Sequence, residues 1–156
     1  MSTRESQAMR ERGLALGISQ ISGGSRTSVG GYVGEEPEEE NSAQFDTSDR
    51  RSLDEIVEWL LQLGYVPSFC TACYREGRTG DRFMALAKSG QISNCCQPNA
   101  LMTLKEYLLD YADEETKAVG AAVIDVQLDS IKNDLVKEKS KAYIAQMEEG
   151  ERDFRF

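Results

Sequence analysis

The apolar and polar positions follow their most regular pattern between residues 51 and 64. Ser52 and Glu55 have the spacing of a capping box, in which each side chain accepts a hydrogen bond from the main chain of the other. Six apolar residues then form one broad helical face: Leu53, Ile56, Val57, Leu60, Leu61 and Leu63. Because Gly64 follows this face and suits a helix end, a helix is predicted from Ser52 to Gly64.

Further capping residues predict more helices in the second part of the chain. The caps and helices are Asp81 before residues 82–88, Thr103 with Glu106 before residues 104–111, and Asn133 before residues 134–149. Residues 114–131 also have a helical pattern, although Gly120 interrupts it. Residues 51–156 are therefore predicted to form a mainly helical domain with irregular loops around its cysteines.

The first fifty residues have a different pattern. Residues 4–16 predict a short helix that Gly17 closes, and residues 17–22 predict a brief strand followed by a glycine-rich loop. This order is typical of a parallel α/β layer, yet the chain offers no neighbouring strands for it. We expect the rest of that sheet to lie outside the chain. The acidic run at residues 35–42 predicts an exposed connection.

Composition narrows the classes of function. The chain has 156 residues and a formal net charge of -9, which disfavours binding to nucleic acid or to anionic lipid. No apolar run of about 18 residues and no signal-peptide pattern is present, so the prediction is a cytoplasmic protein without a membrane partner. A reducing compartment favours metal or redox chemistry for the four cysteines, and the absence of histidine means that any metal site depends mainly on sulfur.

The cysteine spacing leaves four interpretations open. Cys70 and Cys73 form a Cys-x-x-Cys motif, and Cys96 follows after 22 residues, next to Cys95. Zinc would require both adjacent cysteines as ligands, and a thioredoxin-like motif would require a strand before it and a helix after it. Structurally ordinary cysteines are the third alternative. The spacing favours the fourth, an iron-sulfur cluster held by three thiolates, which leaves one iron open.

Charged and aromatic residues near these motifs suggest further contacts. Arg75, Arg78 and Arg82 follow Cys73 closely, where they could offset the charge of a cluster or pair with acidic residues at the surface. Residues 152–156 carry two aromatic side chains where a frayed tail would be polar. We expect this segment to dock onto the domain or onto a partner.

Several sequence motifs resemble one enzyme family over essentially the whole chain. The matching segments are residues 2–5, 18–25, 69–83, 94–96, 99–108 and 152–156. Together they resemble the C-terminal part of the radical S-adenosylmethionine (SAM) tyrosine lyases, the 2-iminoacetate synthase-like enzymes that mature iron-only (FeFe) hydrogenase. The longest motif, FCTACYREGRTGDRF at residues 69–83, is highly specific.

This resemblance implies a fold and a reaction. Residues 1–50 would be the last βα units of a partial (β/α)8, or TIM, barrel with the acidic loop, and residues 51–156 would be a helical domain with an auxiliary 4Fe-4S cluster. The family cleaves tyrosine with a deoxyadenosyl radical to give p-cresol and dehydroglycine. It then forms CO and cyanide, the ligands of the hydrogenase H-cluster, on the auxiliary cluster, which carries a labile iron.

The resemblance also assigns individual residues. Cys70, Cys73 and Cys96 match the metal ligands of the auxiliary cluster, whereas Cys95 does not. Arg4 matches a position where related lyases bind the substrate carboxylate, a group that the arginine fork can hold with two hydrogen bonds. No catalytic residue is assigned within this chain.

One family motif is missing. The Cys-x3-Cys-x2-Cys site, which binds the cluster that reduces SAM, does not occur in this sequence. The chain alone is therefore expected to be inactive, with SAM, a second 4Fe-4S cluster and the missing N-terminal barrel half belonging to the full-length lyase. Expected partners are tyrosine, as substrate of that enzyme, and hydrogenase maturation proteins. The alternative is a non-catalytic iron-sulfur or interaction module in hydrogenase maturation.

Overall fold

The computed structural model describes residues 1–28, 31–32 and 46–156, so the acidic run at 35–42 lies outside the described residues. These residues are mainly helical, as predicted. The helices are α1 (Gln7–Ala15), α2 (Leu53–Gln62), α3 (Ala72–Arg75), α4 (Gly80–Lys88), α5 (Ser93–Asp110), α6 (Glu114–Ser130) and α7 (Asp134–Glu148). None of the described helices is both long and apolar enough to cross a membrane. The chain divides into two units, residues 1–56 and residues 57–156.

Helix α1 of the first unit begins and ends at local signals. The Ser6 hydroxyl accepts a hydrogen bond from the Met9 main-chain N–H at 3.4 Å and caps the helix. Gly17, with a φ of 94°, follows the helix in the left-handed conformation that glycine adopts readily. The helix predicted over residues 4–16 is confirmed with a start three residues later.

The strand predicted at residues 17–22 is not formed. The Ser22 N–H donates to the Met1 carbonyl at 2.9 Å, and the Met1 amino group donates to the Gln20 carbonyl at 2.6 Å, but no strand occurs in the described ranges. A parallel strand requires main-chain partners on its neighbours, and these two hydrogen bonds satisfy only a small part of that requirement. The strand prediction is therefore wrong for this chain, and the partial barrel remains a prediction.

A buried ion pair joins distant parts of the first unit. Arg10 on α1 is fully buried, forms an ion pair with Asp49 and donates to the Ser22 carbonyl. Arg51 donates to both carboxylate oxygens of Asp49, at 2.9 and 2.7 Å. The guanidinium groups of Arg51 and Arg10 hold the pKa of Asp49 below its ordinary value, although burial opposes them.

Helix α2 begins at the predicted capping box. The Ser52 N–H donates to Glu55 Oε2 at 2.7 Å, and the Glu55 N–H donates to Ser52 Oγ at 3.2 Å. After the helix, Gly64 has a φ of 82°. The helix predicted here is confirmed, together with its capping residues.

The second unit has a core formed mainly by α5, α6 and α7. Its buried members are Val57, Leu61, Leu101, Met102, Leu104, Tyr107, Leu108, Ala112, Ile124, Leu128, Ile131 and Met147. Gly120 allows α5 and α6 to approach closely, because a Cβ atom there would lie 2.5 Å from Leu108 Cδ1. The glycine that interrupts the α6 pattern thus fills a packing role.

Helix α5 differs from its prediction. It begins at Ser93, so the adjacent cysteines lie in its first turn and not in a loop, and Thr103 lies in its interior and not at its start. The Thr103 hydroxyl is within hydrogen-bond distance of the Asn99 and Ala100 carbonyls, at 3.1 and 3.2 Å. The cap prediction failed because a threonine can bond to the preceding turn of its own helix instead of capping a new one.

Candidate metal centre

The four cysteines occupy two segments of the second unit. Cys70 precedes the short helix α3 and Cys73 lies within it, whereas Cys95 and Cys96 lie in the first turn of α5. Cys96 is exposed and the other three are half-buried. Both segments can therefore present thiols at the surface of the helical unit.

Charge on the first cysteine segment affects the acidity of a thiol on the second. Although Cys96 as a whole residue is exposed, loss of hydration around its thiol raises the pKa to about 11, and negative charge on Cys95 adds to this rise. Charges on Cys73 and Cys70 raise the same pKa further. Thiols that precede Cys96 by 23 and 26 positions in the sequence thus affect its ionisation.

A 4Fe-4S cluster and a single metal ion require different arrangements of thiol ligands. Within residues 1–28, 31–32 and 46–156, no three Cys, Asp, Glu or His side chains converge closely enough to hold one ion. A zinc ion would need its sulfur ligands at about 2.3 Å around one point. In a 4Fe-4S cluster each thiolate binds its own iron, so the sulfurs lie farther apart. Thiolates are the soft donors that such clusters prefer.

The sulfur atoms of Cys70 and Cys95 take part in hydrogen bonds of different kinds. The Ala72 N–H donates to Cys70 Sγ at 3.4 Å, a contact that stabilises negative charge on this sulfur. Cys95 Sγ, in contrast, donates to the Ile92 carbonyl of its own helical turn at 3.4 Å. This contact engages the Cys95 thiol within α5, and the assignment of Cys95 as a non-ligand stays a prediction.

The segment before Cys70 is anchored to the helix that carries Cys96. The Phe69 N–H donates to Thr103 Oγ1 at 3.2 Å. The Phe69 ring stacks on Tyr107, with ring centroids 5.2 Å apart and an angle of 21° between the planes. Thr103, predicted as a helix cap, thus holds the first cysteine segment against α5.

Residues 152–156 dock onto the second unit, one of the two outcomes expected from the sequence. Arg152 binds Asp110 with two hydrogen bonds, at 3.0 and 2.7 Å. The Phe154 ring stacks on Tyr143 on α7, with centroids 4.3 Å apart. Aromatic packing and paired charges therefore fix a segment that would otherwise fray.

The three arginines behind Cys73 bind partners that the sequence did not indicate. Arg75 donates to both carboxylate oxygens of Asp153, at 2.5 and 2.8 Å, which raises the pKa of Arg75. Arg78 donates to the Phe156 main-chain oxygen at 3.0 Å, and Arg82 to a main-chain carbonyl at 3.4 Å. No local pattern could have revealed the first two contacts, because their partners lie 78 residues away.

Arg4 lies in the first unit, in an exposed turn before α1. Its main-chain N–H donates to the Ser2 hydroxyl at 3.2 Å. The described residues around it form no strand, so the structure does not test the strand-end position assigned to Arg4 by resemblance. Its role in binding a substrate carboxylate stays a prediction.

Comparison with known proteins identifies the class of protein. Residues 1–66 match the sequence profile of the Biotin and Thiamin Synthesis associated domain, which is found in radical SAM enzymes. The chain is similar to HydG, a maturase of the [FeFe]-hydrogenase, over its whole length, with 52% identity and a TM-score of 0.90 to the crystal structure. The chain covers 33% of HydG, corresponding to its C-terminal part. No curated protein matches. The resemblance inferred from the cysteine motifs is confirmed.

Proposed function

We propose that this chain is the C-terminal part of a radical SAM tyrosine lyase and binds an auxiliary 4Fe-4S cluster. Cys70, Cys73 and Cys96 are the ligands. The observations that carry the proposal are the Cys-x2-Cys-x22-Cys spacing in a chain 52% identical to HydG along its whole length and the hydrogen bond that joins the segment before Cys70 to the helix of Cys96. Three thiolates would bind three irons and leave the fourth open to exogenous ligands.

The surrounding residues support a bound group of this kind. The Ala72 N–H lowers the free energy of a thiolate at Cys70, and α5 fixes the backbone of Cys96 within a regular helix. Arg78 Nε is buried and lacks a hydrogen-bond partner among the described residues, which leaves a donor in the segment that carries Cys73. Because a cysteine must lose its proton to bind iron, cluster binding would release the proton of Cys96.

The reaction itself belongs to the full-length enzyme. There, residues 1–50 would complete the (β/α)8 barrel, and Arg4 would bind the carboxylate of tyrosine with its planar fork. The cluster and SAM that start tyrosine cleavage would lie in the remaining two-thirds of the enzyme. When bound, the auxiliary cluster of this chain would supply the iron on which CO and cyanide are assembled for the H-cluster.

Anaerobic reconstitution with iron and sulfide tests the cluster site. We expect about four irons per parent chain, with the absorption and electron paramagnetic resonance (EPR) signals of a 4Fe-4S cluster. Cys96→Ala should lose the cluster because one of three ligands is removed. Cys95→Ala is the matched control, since it changes the adjacent thiol and should retain the full iron content.

The outcomes of this experiment separate the competing sites. Equal loss of iron in the two variants would contradict the ligand assignment, because it would make Cys95 as important as Cys96. Zinc bound in place of iron after reconstitution would overturn the cluster proposal itself. Iron retained by Cys96→Ala would show that another residue completes the site.

A second candidate function is a non-catalytic iron-sulfur or interaction module that serves hydrogenase maturation. This function requires only the features present in the chain, namely the helical unit and the cysteines between residues 70 and 96. Both functions predict the same reconstituted cluster. They differ in whether the chain restores a tyrosine-cleaving activity when the missing part of the enzyme is supplied.

A further inference from the structure

One residue of the docked segment connects the two cysteine segments. The Phe156 N–H donates to Asn99 Oδ1 at 2.8 Å, and Asn99 Nδ2 donates back to the Phe156 main-chain oxygen at 3.4 Å. The same oxygen accepts the hydrogen bond from Arg78 at 3.0 Å. We call Arg78, Asn99 and Phe156 the clasp. Its polar groups form a continuous path between the segment after Cys73 and α5.

Both ends of the clasp lie beside proposed ligands. The Arg78 main-chain N–H donates to the Cys73 carbonyl at 2.8 Å, which ties the position of Arg78 to that of Cys73. Asn99 follows Cys96 by three residues on α5, so the two side chains lie on the same face, about one helical turn apart. A displacement of Phe156 would therefore be transmitted to both cysteine segments.

Apart from the contacts of Phe69 and Arg75, the cysteine segment has little burial to hold it. Among residues 67–91, all of which the structure describes, Ala72 alone is buried, and α4 buries no residue. Asn99, in contrast, is only 3% exposed, and its side-chain amide makes two hydrogen bonds with the main chain of Phe156. Phe156 is itself fixed by edge-on contact with the Tyr143 ring, at 5.5 Å between centroids. The clasp thus restrains the position of the segment around Cys73, where apolar packing contributes little.

We propose that Asn99 and Arg78 are positioning residues, which act through Phe156 to hold Cys73 and Cys96 at the separation that the cluster requires. This inference rests on the proposed cluster function and extends it to residues that do not bind iron. Without the clasp, the exposed segment around Cys73 would sample more positions. Three-point attachment of the cluster would then be slower to form and easier to lose.

The test compares cluster retention in variants with matched global stability. Asn99→Leu keeps the size of the side chain but removes both hydrogen bonds, and Arg78→Met keeps the apolar stem but removes the donor. The control is a core substitution in α6, Ile124→Val or Ile124→Ala, chosen to match the thermal midpoint of Asn99→Leu. The full chain of each variant is reconstituted, and bleaching of the cluster absorbance by an iron chelator is followed over time.

We expect Asn99→Leu to lose its cluster about tenfold faster than the parent, as for other residues that orient metal ligands, whereas the Ile124 control should resemble the parent. Arg78→Met should act in the same direction, and Arg78→Lys, which restores a donor, should recover part of the loss. The EPR spectrum of the reduced cluster should broaden in Asn99→Leu and not in the control. In the metal-free proteins, amide exchange at residues 73–80 should accelerate only in the clasp variants.

The alternative is that the clasp only stabilises the fold. Equal chelator rates in Asn99→Leu and its stability-matched control would overturn the positioning role, even if the parent binds four irons. Failure of the parent chain to bind iron at all would instead overturn the cluster proposal, and this inference with it. Iron binding by the parent protein therefore distinguishes failure of the positioning role from failure of the cluster proposal.

Discussion

Asp49 carries a charge in a place where water cannot solvate it. Its side chain is 3% exposed and lies between two guanidinium groups, so its carboxylate compensates the buried charge of Arg10. Removing one partner of such a pair costs more than the pair itself contributes, because the remaining charge stays buried. The first unit therefore depends on a residue that no sequence motif singles out.

Asp49→Asn should destabilise residues 1–56 by about 3 kcal/mol, since Arg10 would stay buried and charged while losing its ion pair with Asp49. Because the pKa of Asp49 is lower in the folded state, its contribution should be complete above the unfolded value of about 4 and decline as pH falls through the folded value. Proteolysis and amide exchange of α1 between pH 2 and 7 would measure both effects. Asp46→Asn is the control, because Asp46 is 96% exposed. Equal effects of the two substitutions would contradict the role of Asp49.

At the scale of elements, helix caps formed by neighbouring residues could be predicted from the sequence, whereas contacts between distant residues could not. The capping box at Ser52 and the cap at Asn133 were found from sequence because their hydrogen bonds close within one turn. Thr103 with Glu106 has the same spacing inside a helix, and there Glu106 accepts instead from the Asp153 N–H at 2.6 Å. Spacing alone cannot separate a helix start from a helix interior whose polar side chains have distant partners.

Because α5 and α6 approach closely, we expect Gly120→Ala to destabilise the chain, whereas helix propensity alone predicts that it is stabilising. Propensity alone makes Gly120→Ala stabilising by about 1 kcal/mol. The added Cβ would, however, meet Leu108 Cδ1 at 2.5 Å and Cδ2 at 2.7 Å in a buried contact. We expect the net free energy of unfolding to fall by about 1 kcal/mol. Urea denaturation followed by circular dichroism would measure it, and Leu108→Val in the same chain should recover part of the loss. Stabilisation by the single substitution would show that the helices move apart easily.

At the scale of the whole molecule, the sequence predicted the helical unit and proposed three thiol ligands, but it did not reveal the contacts that hold the cysteine segments in place. The Cys-x2-Cys-x22-Cys motif can be recognised from the sequence because it is defined by the spacing of residues along the chain. The contact of Asn99 with Phe156 is not visible, since its partners are 57 residues apart and neither belongs to a metal-ligand motif. The strand at residues 17–22 was predicted from local pattern, whereas strand formation depends on neighbouring strands, and the described part of the chain contains none.

The proposed role of this chain as the C-terminal part of a radical SAM tyrosine lyase leads to a final prediction. By resemblance, tyrosine cleavage uses the cluster that reduces SAM, and the auxiliary cluster acts only afterwards. A mixture of this chain with a separately produced barrel half of a related lyase should therefore form p-cresol from tyrosine and SAM, and also CO and cyanide. With Cys96→Ala, p-cresol should persist while CO and cyanide are lost. Mass spectrometry of p-cresol and CO trapping by deoxyhaemoglobin would measure the products. A mixture that binds both clusters and forms no p-cresol would instead support the non-catalytic module, because every part required for cleavage would then be present without effect.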